Sequence, residues 1–564
     1  MKHIIKIACL IALLATASGC KKWLDVNQDP ATPQNIDPEF YLAPIIAKMA
    51  VATGTDNINA TFKYTQNMGA QVASDIFERH SFSTADAAGG TMWRFYLVDA
   101  GLNLEDLIRK SEAEQNNTLT GVGYAIKAWG FQMATDSYGP IILDEAFKDQ
   151  STFHYQDQPE VYAKVREWCF QALANLNKPD VLVNPARLKA NDYMFGSTIS
   201  GTNLTVYRDR WKKFVYAILA TQYSHLVNKP DFVAKYADSV VKYVDLSFGG
   251  TVLNSSEDAT IGYDGVAAAN ANPFSVTGGL LNSVASSAAV AAVGSGRIGQ
   301  PIVNYLTGGM RGTPVVSPIS SVDPRLTRMI NPMVTPTVPA TNGVYKGVVA
   351  TKGDVPTTKT IPHVMGGVAA TYPGKYIFGQ GVTDKPRYPL YSYAQLQFAK
   401  AEALFLKGNT AGAWTAYDRG IRGHMDFVNT YGRFGTTVAP LITATEITAY
   451  MISTEVAQSA ATLKLSDIMG QKYIAQWGWA GLEQWCDLRK YHYSAGDVGV
   501  FRQFKLLETA EFAITVGGLG RYAYRFRPRY NSEFVWNLEE LQKWSGGNIN
   551  AYSIIEPWFS LPNN

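Results

Sequence analysis

The chain has 564 residues, and its 50 basic side chains nearly balance 47 acidic ones, so no one-signed field argues for nucleic acid. Charged residues make up only 17% and aromatic residues 12%, against about a quarter charged in an average soluble protein. Such a surface suits neutral ligands or a protein partner, and the length allows a large core in one or more domains.

Lys2 and Lys6 precede an apolar run, Ile7 to Leu14, that is too short to span a bilayer. Ala17, Ser18 and Gly19 then lead directly into Cys20, an arrangement that resembles a bacterial lipobox. Residues 1–19 therefore read as a lipoprotein signal peptide and Cys20 as the lipidated first residue of the mature chain. Two or three acyl chains give a stable anchor where one is marginal. Lys21 to Pro44 carries four prolines among several Asn and Asp residues, so an extended tether is expected over about 20–50. A single helical domain is expected over 51–564.

Helices are expected over 40–53, 56–72 and 91–113. Asp75 to Gly90, between the last two, reads as an exposed loop carrying Phe77, Arg79, His80 and Phe82. The helix after it opens with Thr91, Trp93, Arg94 and Tyr96. The stretch from Tyr124 is apolar on two faces at helical spacing, Tyr124, Ala128 and Phe131 on one and Ile126, Trp129 and Met133 on the other. A helix apolar nearly all round is a buried one. Asp136 and Ser137 compete for its backbone, Gly139 tolerates a left-handed exit and Pro140 cannot continue it. A return segment, Ile141 to Leu143, should follow.

Tyr155 to Asn175 begins another helix, with proline near its first turn and a stripe of Val161, Val165, Trp168 and Leu173. Asp209 to Phe214 then leads into a helix expected over Val215 to Val227. From about 248 to 389, Gly, Ala, Ser, Thr, Val and Pro dominate, with low complexity over Ala285 to Gly296. This reads as loops and short strands on a scaffold, and its length argues for a function. Helical order returns at Tyr393. Gly408 ends one helix and Asn409 or Thr410 can cap the next. Ala401, Ala413 and Gly420 with Leu404 and Tyr417 fall at the spacing of a tetratricopeptide hairpin, which needs neighbouring hairpins to bury its face. Those are expected within 91–175, 209–246 and 444–490. Cys169 and Cys486 lie in helical patterns and read as buried thiols, and Cys9 falls in the signal segment.

Several stretches, in order, resemble the SusD/RagB family of outer-membrane lipoproteins. LDVNQDPATP resembles its mature N-terminus, and the helix stop at Asp136–Pro140 its helix-to-loop signature. YQDQPEVY, the Trp211/Phe214 pair, Asn272-Pro273-Phe274 and Asp323-Pro324-Arg325-Leu326 are further landmarks. The closest wording is AQLQFAKAEALFLKG with AWTAYDRGI; Gln471-Lys472-Tyr473 with Trp485 and Arg489, and Arg525 to Tyr530 with Glu533 and Asn537, continue the series. The resemblance implies a mainly α fold, a tetratricopeptide-like helical-hairpin scaffold with a large loop-rich region and a few short strands. It also implies a cell-surface lipoprotein that captures oligosaccharides for a SusC-like TonB-dependent transporter barrel, or in some members peptides.

Little in the sequence suggests catalysis. The seven histidines form no HxxxH or HExxH pair, and no GxSxG elbow or GxxxxGK[ST] loop is present. The adjacent acids Glu105-Asp106, Asp144-Glu145 and Glu539-Glu540 would serve a glycosidase only if folding set two of them across a sugar. A surface hydrolase and a purely structural repeat adaptor are the competing readings. Sugars stack apolar ring faces on aromatics while polar groups fix their hydroxyls. The expected ligand contacts are therefore Arg79, His80, Trp93, Arg94, Tyr96, Tyr263 and Tyr305, with no metal, cofactor or nucleic acid. Trp129, Trp168 and Trp414 sit on helical stripes and are assigned to the core.

Overall fold

A computed structural model of the protein describes residues 36–562 apart from 71, 82–89, 251, 264–270, 276–294, 316–322, 334–343, 355–360, 362–363, 365–375, 379–384, 435–437, 495–498, 515–517 and 529. The signal segment, Cys20, the start of the tether, Phe82 and most of Ala285–Gly296 lie outside the described residues.

The fold is mainly helical. Its longer helices are α1 (Leu42–Asp56), α2 (Gly90–Arg94, continuing as a π turn to Asp99), α3 (Gly101–Ala113), α4 (Asn117–Tyr138), α5 (Gln158–Leu176), α6 (Thr205–Ser224) and α7 (Ala237–Leu246). After the loop-rich region come α8 (Tyr393–Leu406), α9 (Thr410–Tyr431), α10 (Ala444–Met451), α11 (Leu465–Gln476), α12 (Gly481–Lys490) and α13 (Leu538–Trp544). The hairpin pairs α4–α5, α6–α7 and α8–α9 pack along their lengths, and α11 covers α8.

The central helix forms where its apolar pattern places it. Asn116 caps α4 by accepting from the Leu119 N–H at 3.1 Å. Val122, Ile126, Trp129 and Phe131 are buried on different sides of it, between α3, α5 and α6. It ends as expected: Gly139 turns left-handed at φ +74°, and the Thr135 hydroxyl donates to the Gly139 carbonyl at 2.7 Å. The chain reverses into β2 (Ile141–Ile142), which pairs antiparallel with β3 (Tyr155–Gln156). Asp157 then caps α5, with Pro159 in its first turn.

Several boundaries differ from the sequence reading, and the helix expected over 91–113 breaks at Ala100 into α2 and α3. The extended N-terminal segment is shorter than 20–50, because Pro38–Tyr41 already forms a 3-10 turn that runs into α1. The helix expected over 56–72 loosens into a π turn at Asn57–Thr61 and stops at Tyr64. Gln66 turns to φ +56°, and β1 (Met68–Ala70) pairs with β5 (Ser295–Ile298), more than 200 residues away. The helix expected from Val215 begins ten residues earlier, because Trp211, Phe214 and Ile218 continue one buried stripe. Within the loop-rich region β4 (Ala259–Ile261) pairs with β6 (Tyr388–Tyr391), which ties that region to the start of α8.

Asn409 rather than Thr410 caps α9, accepting from Gly412 at 3.0 Å after Gly408 at φ +81°. Trp129 and Trp168 are buried as expected, and Trp414 is partly buried with its indole N–H on the Ala457 carbonyl. Cys169 and Cys486 are free and buried.

Where the hairpins meet, the core is ionic. Lys472 of α11 pairs with Asp487 (2.7 Å) and Glu483 (3.4 Å) of α12, and approaches Glu402 of α8 at 3.8 Å. Lys490 bridges Glu402 (2.9 Å) and Asp487 (2.8 Å). His225, just after α6, contacts Glu483 at 2.8 Å and Asp136 of α4 at 3.4 Å. All seven groups are buried. Such a network rewards one arrangement of helices and penalises any that leaves a charge alone.

Candidate functional site

A groove of about 420 Å³ opens beside α2, and its walls come from four separate stretches. The α2 segment and the start of α3 give Trp93, Arg94, Leu97, Val98 and Leu102. The β2–β3 connection adds Phe147, Lys148, Asp149 and Phe153, and the approach to α13 adds Ser532 and Glu533. Val98 and Leu102 are each more than half exposed and give the groove an apolar rim.

The β2–β3 connection is held in shape by its own side chains. The Gln156 side chain accepts from the Leu143 and Asp144 N–H groups at 2.8 and 3.2 Å. Glu145 accepts from the His154 N–H at 2.7 Å, and Phe147 stands at φ +74°. Asn537 clamps the far end, accepting from the Phe153 N–H at 3.0 Å and donating to its carbonyl at 2.9 Å. A loop with its backbone so occupied presents its aromatic side chains at low ordering cost.

Glu533 is the buried polar group of the groove. Burial pushes its carboxyl above the usual range, against hydrogen bonds from Tyr155 and Asn537. Arg94 supplies an exposed guanidinium, steadied by Asp99 at 3.1 Å. Three residues past Glu533, outside the lining of the groove, Trp536 is 67% exposed.

The structure brings together two of the expected contact residues, Trp93 and Arg94, and sends the other five elsewhere. Trp93 is largely buried, its ring edge-on to Tyr138 at 4.9 Å, and it lines the groove from below. Tyr96 lies behind it in the core, edge-on to Phe131 at 5.1 Å. His80, expected on an exposed loop, is buried: its ring stacks on Tyr64 at 4.8 Å, and Nδ1 accepts from the Ala523 N–H at 3.2 Å. Burial lowers its pKa to about 3. Arg79 is half-buried, and its backbone carbonyl accepts from the Ala513 N–H. Tyr305 packs on Tyr473 at 5.5 Å inside the core, and Tyr263 is partly buried against it. As packed, His80, Tyr96 and Tyr305 present no face to a ligand. Sequence reasoning missed Phe147, Phe153 and Glu533 as contacts. Glu533 and Asn537 belong to the family-like motif that begins at Arg525, which was the signal that could have found them.

The acid pairs considered for glycosidase chemistry have structural duties. Glu105 pairs with Lys127 at 2.5 Å, Glu145 holds the β2–β3 connection, and Glu540 accepts from the Tyr155 N–H at 3.1 Å. Among the described residues, Asp136, His225 and Cys486 lie close enough to hold a metal, their donor atoms within 4.8 Å of one another. Burial alone would lower the His225 pKa, but Glu483, Cys486 and Asp136 outweigh it and raise the group well above its ordinary value. Asp136 and His225 of this trio are also members of the ionic network, through the His225 contacts to Glu483 and Asp136.

The fold defines the class, a tetratricopeptide-like scaffold of helical hairpins with short strand ribbons. The chain belongs to the SusD-like family: the family model described as "Starch-binding associating with outer membrane" matches residues 30–495. Among solved structures, a SusD/RagB family protein from Bacteroides thetaiotaomicron is 19% identical, with 93% of this chain and 99% of that one covered and a TM-score of 0.64. A Bacteroidetes SusD-like protein is 15% identical, with 93% and 100% covered and a TM-score of 0.67. A chitin-binding SusD homolog from Flavobacterium johnsoniae is 18% identical, with 93% and 98% covered and a TM-score of 0.60. At these identities the likeness is one of fold, and it bears out the architecture expected from the sequence. No curated protein matches the chain.

Proposed function

We propose that the protein is a non-catalytic, cell-surface lipoprotein anchored through Cys20. It captures an oligosaccharide in the groove at Trp93 and delivers it to a SusC-like TonB-dependent transporter barrel. Family membership over residues 30–495 supports the class. The site rests on one observation: the half-buried Phe147 and Phe153 converge on a groove that has the buried Trp93 beneath it and Arg94, Lys148, Asp149 and Glu533 at its edges. Aromatic surface takes the apolar face of a pyranose, and the polar edges fix its hydroxyls. A second reading has its own support. The aliphatic wall of Leu97, Val98, Leu102 and Ile142 suits an apolar peptide side chain as well as a sugar ring.

The test is calorimetric titration of the full-length protein in detergent with starch-type and chitin-type oligosaccharides and with peptides, with product analysis on the same samples. The expected result is saccharide binding without turnover, weakened about fivefold in Phe147→Ala, in line with ~1 kcal/mol for an aromatic contact. Peptide binding alone would select the second reading. Product formation abolished by Glu533→Gln would replace both with a hydrolase. Cys20→Ser should release the protein from the membrane fraction and remove acyl labelling; retention of both would refute the anchor.

A further inference from the structure

A second cavity, of about 450 Å³, is bounded by the Met194–Thr198 segment, α6, β4, the residues leading into β6 and the end of α9. It shares no lining residue with the groove. Its charge is lopsided. Arg210, Lys385, Arg387 and Arg433 face it, against only Glu257 and Asp258.

Neither acid is available to balance the excess. Glu257 is paired with Arg210 and, at 2.9 Å, with Lys213; these cations overcome burial and hold its carboxyl below the usual range. Asp258 is 4% exposed, and one of its oxygens accepts from the Tyr393 N–H at 2.8 Å. Its other oxygen, Oδ2, is buried without a hydrogen-bond partner. Burial first, then the nearby Asp426 and Glu257, raise this carboxyl well above its ordinary value against the Tyr393 bond. Asp258 therefore brings less negative charge to the cavity than its residue type implies.

Among the described residues, no carboxylate pairs with Lys385, Arg387 or Arg433. Arg387 is held without being neutralised, donating from Nε to the Thr260 hydroxyl at 2.6 Å and from Nη2 to the Thr260 carbonyl at 2.7 Å. Arg433 is oriented by a bond from Nε to the Ala439 carbonyl at 2.8 Å. Phe195, Tyr431 and Phe434 line the same space. The partly buried Arg387 guanidinium, with no carboxylate paired to it, is costly to hold there unless an anion meets it. The cavity also offers donors for hydroxyls and aromatic surface, in a volume typical of small-ligand sites.

We propose that this cavity is a second ligand site, for an acidic sugar: its carboxylate is met by Arg387, Arg433 and Lys385, and its hydroxyls by Asp258 and the neighbouring Ser and Thr side chains. This assignment goes beyond capture in the groove and does not depend on it. The shared chemistry is an oxyanion on a hydroxylated ring, and the probes separate its sources.

The experiment is calorimetric titration of the full-length protein in detergent with digalacturonate, maltose, galactose 6-sulfate and inorganic sulfate. Digalacturonate should bind, more weakly as salt rises, and at least tenfold more tightly than maltose does at this site. Arg433→Gln should cost about tenfold and Lys385→Gln about threefold; both side chains lie on the exposed rim, so neither variant threatens folding. Phe147→Ala should leave digalacturonate binding unchanged while lowering that of a neutral oligosaccharide, so failure of the groove reading and failure of this one are separable. No digalacturonate binding, binding insensitive to both rim variants, or inorganic sulfate bound as tightly as the sugar would overturn the proposal. Galactose 6-sulfate bound tenfold more tightly than digalacturonate would overturn the carboxylate assignment.

Discussion

Lys472→Met is the sharpest probe of what holds the hairpins together. The methionine keeps most of the side-chain volume and removes only the charge, so a packing loss does not confuse the result. Lys472 is fully buried and faces Asp487, Glu483 and Glu402 at 2.7, 3.4 and 3.8 Å. Without it, Asp136, Glu402, Glu483 and Asp487 are left with only His225 and Lys490. Removing one partner of a buried pair costs about 3–5 kcal/mol, because the remaining charge is dry and uncompensated. Urea titration followed by tryptophan fluorescence should show that loss as a lower midpoint at unchanged slope. The double variant Lys472→Met/Asp487→Leu removes one charge of each sign and should recover at least half of it, since a buried pair replaced by apolar residues is often neutral or better. A single-variant loss below about 1 kcal/mol would mean that water reaches the cluster, and the account of the core would fail. A double variant no better than the single would show that the network acts through geometry that Asp487 alone maintains.

The same cluster sets a pH window. His225 is raised well above its ordinary 6.5, so its contribution to stability is complete below that pH and is lost as pH rises through the folded-state value. The Glu483 carboxyl is buried, yet His225 and Lys472 lower it from 4.5 to about 2, so its contribution is complete above 4.5 and is lost as pH falls toward 2. Thermal midpoints of His225→Gln should fall below those of the native protein at pH 6 and converge with them on the alkaline side; a difference independent of pH would refute the assignment. Gly420→Leu should cost about 1–3 kcal/mol in urea titration, since even a Cβ there would sit 2.6 Å from the Phe398 ring and α8 and α9 would have to separate; an unchanged midpoint would show that the hairpin contact is not close. Asn537→Ala frees the Phe153 backbone and should weaken ligand capture in the groove more than it lowers the global midpoint, whereas equal effects on both would make the clamp merely structural. Cys169 and Cys486 should resist thiol labelling until urea is added, as mass mapping of the two peptides would show; burial pushes both thiols up.

The scaffold was legible in the sequence because its signals are local. A helix apolar all round that runs into Asp, Ser, Gly and Pro stops within a residue or two wherever it occurs, and α4 does so at Gly139. The Gly408–Asn409 joint is readable for the same reason: one residue takes the left-handed turn and its neighbour caps α9. The misplaced boundary after α1 had a cause outside any window. Asn67 donates to Gln484, and its carbonyl accepts from the Trp477 indole at 3.1 Å, contacts more than 400 residues away that pull the chain out of helix and into β1. The groove is non-local in the same way. Phe153 is poised by Asn537, and Tyr155 donates to Glu533, almost 380 residues ahead in the chain. With 12% aromatic residues, a Tyr or Trp beside a loop carries no mark that separates a ligand platform from core. His80 shows the consequence: it sits among loop-forming residues, yet Tyr64, Tyr493 and Tyr522 enclose its ring. The useful sequence mark was instead polar and bivalent. Glu533 and Asn537 are four residues apart, Asn537 donates to Glu533 at 3.1 Å, and together they secure the Phe153 backbone and the Tyr155 hydroxyl beside the groove. A buried acid–amide pair is expensive unless both members are satisfied, and here satisfying them is what gives the groove its shape.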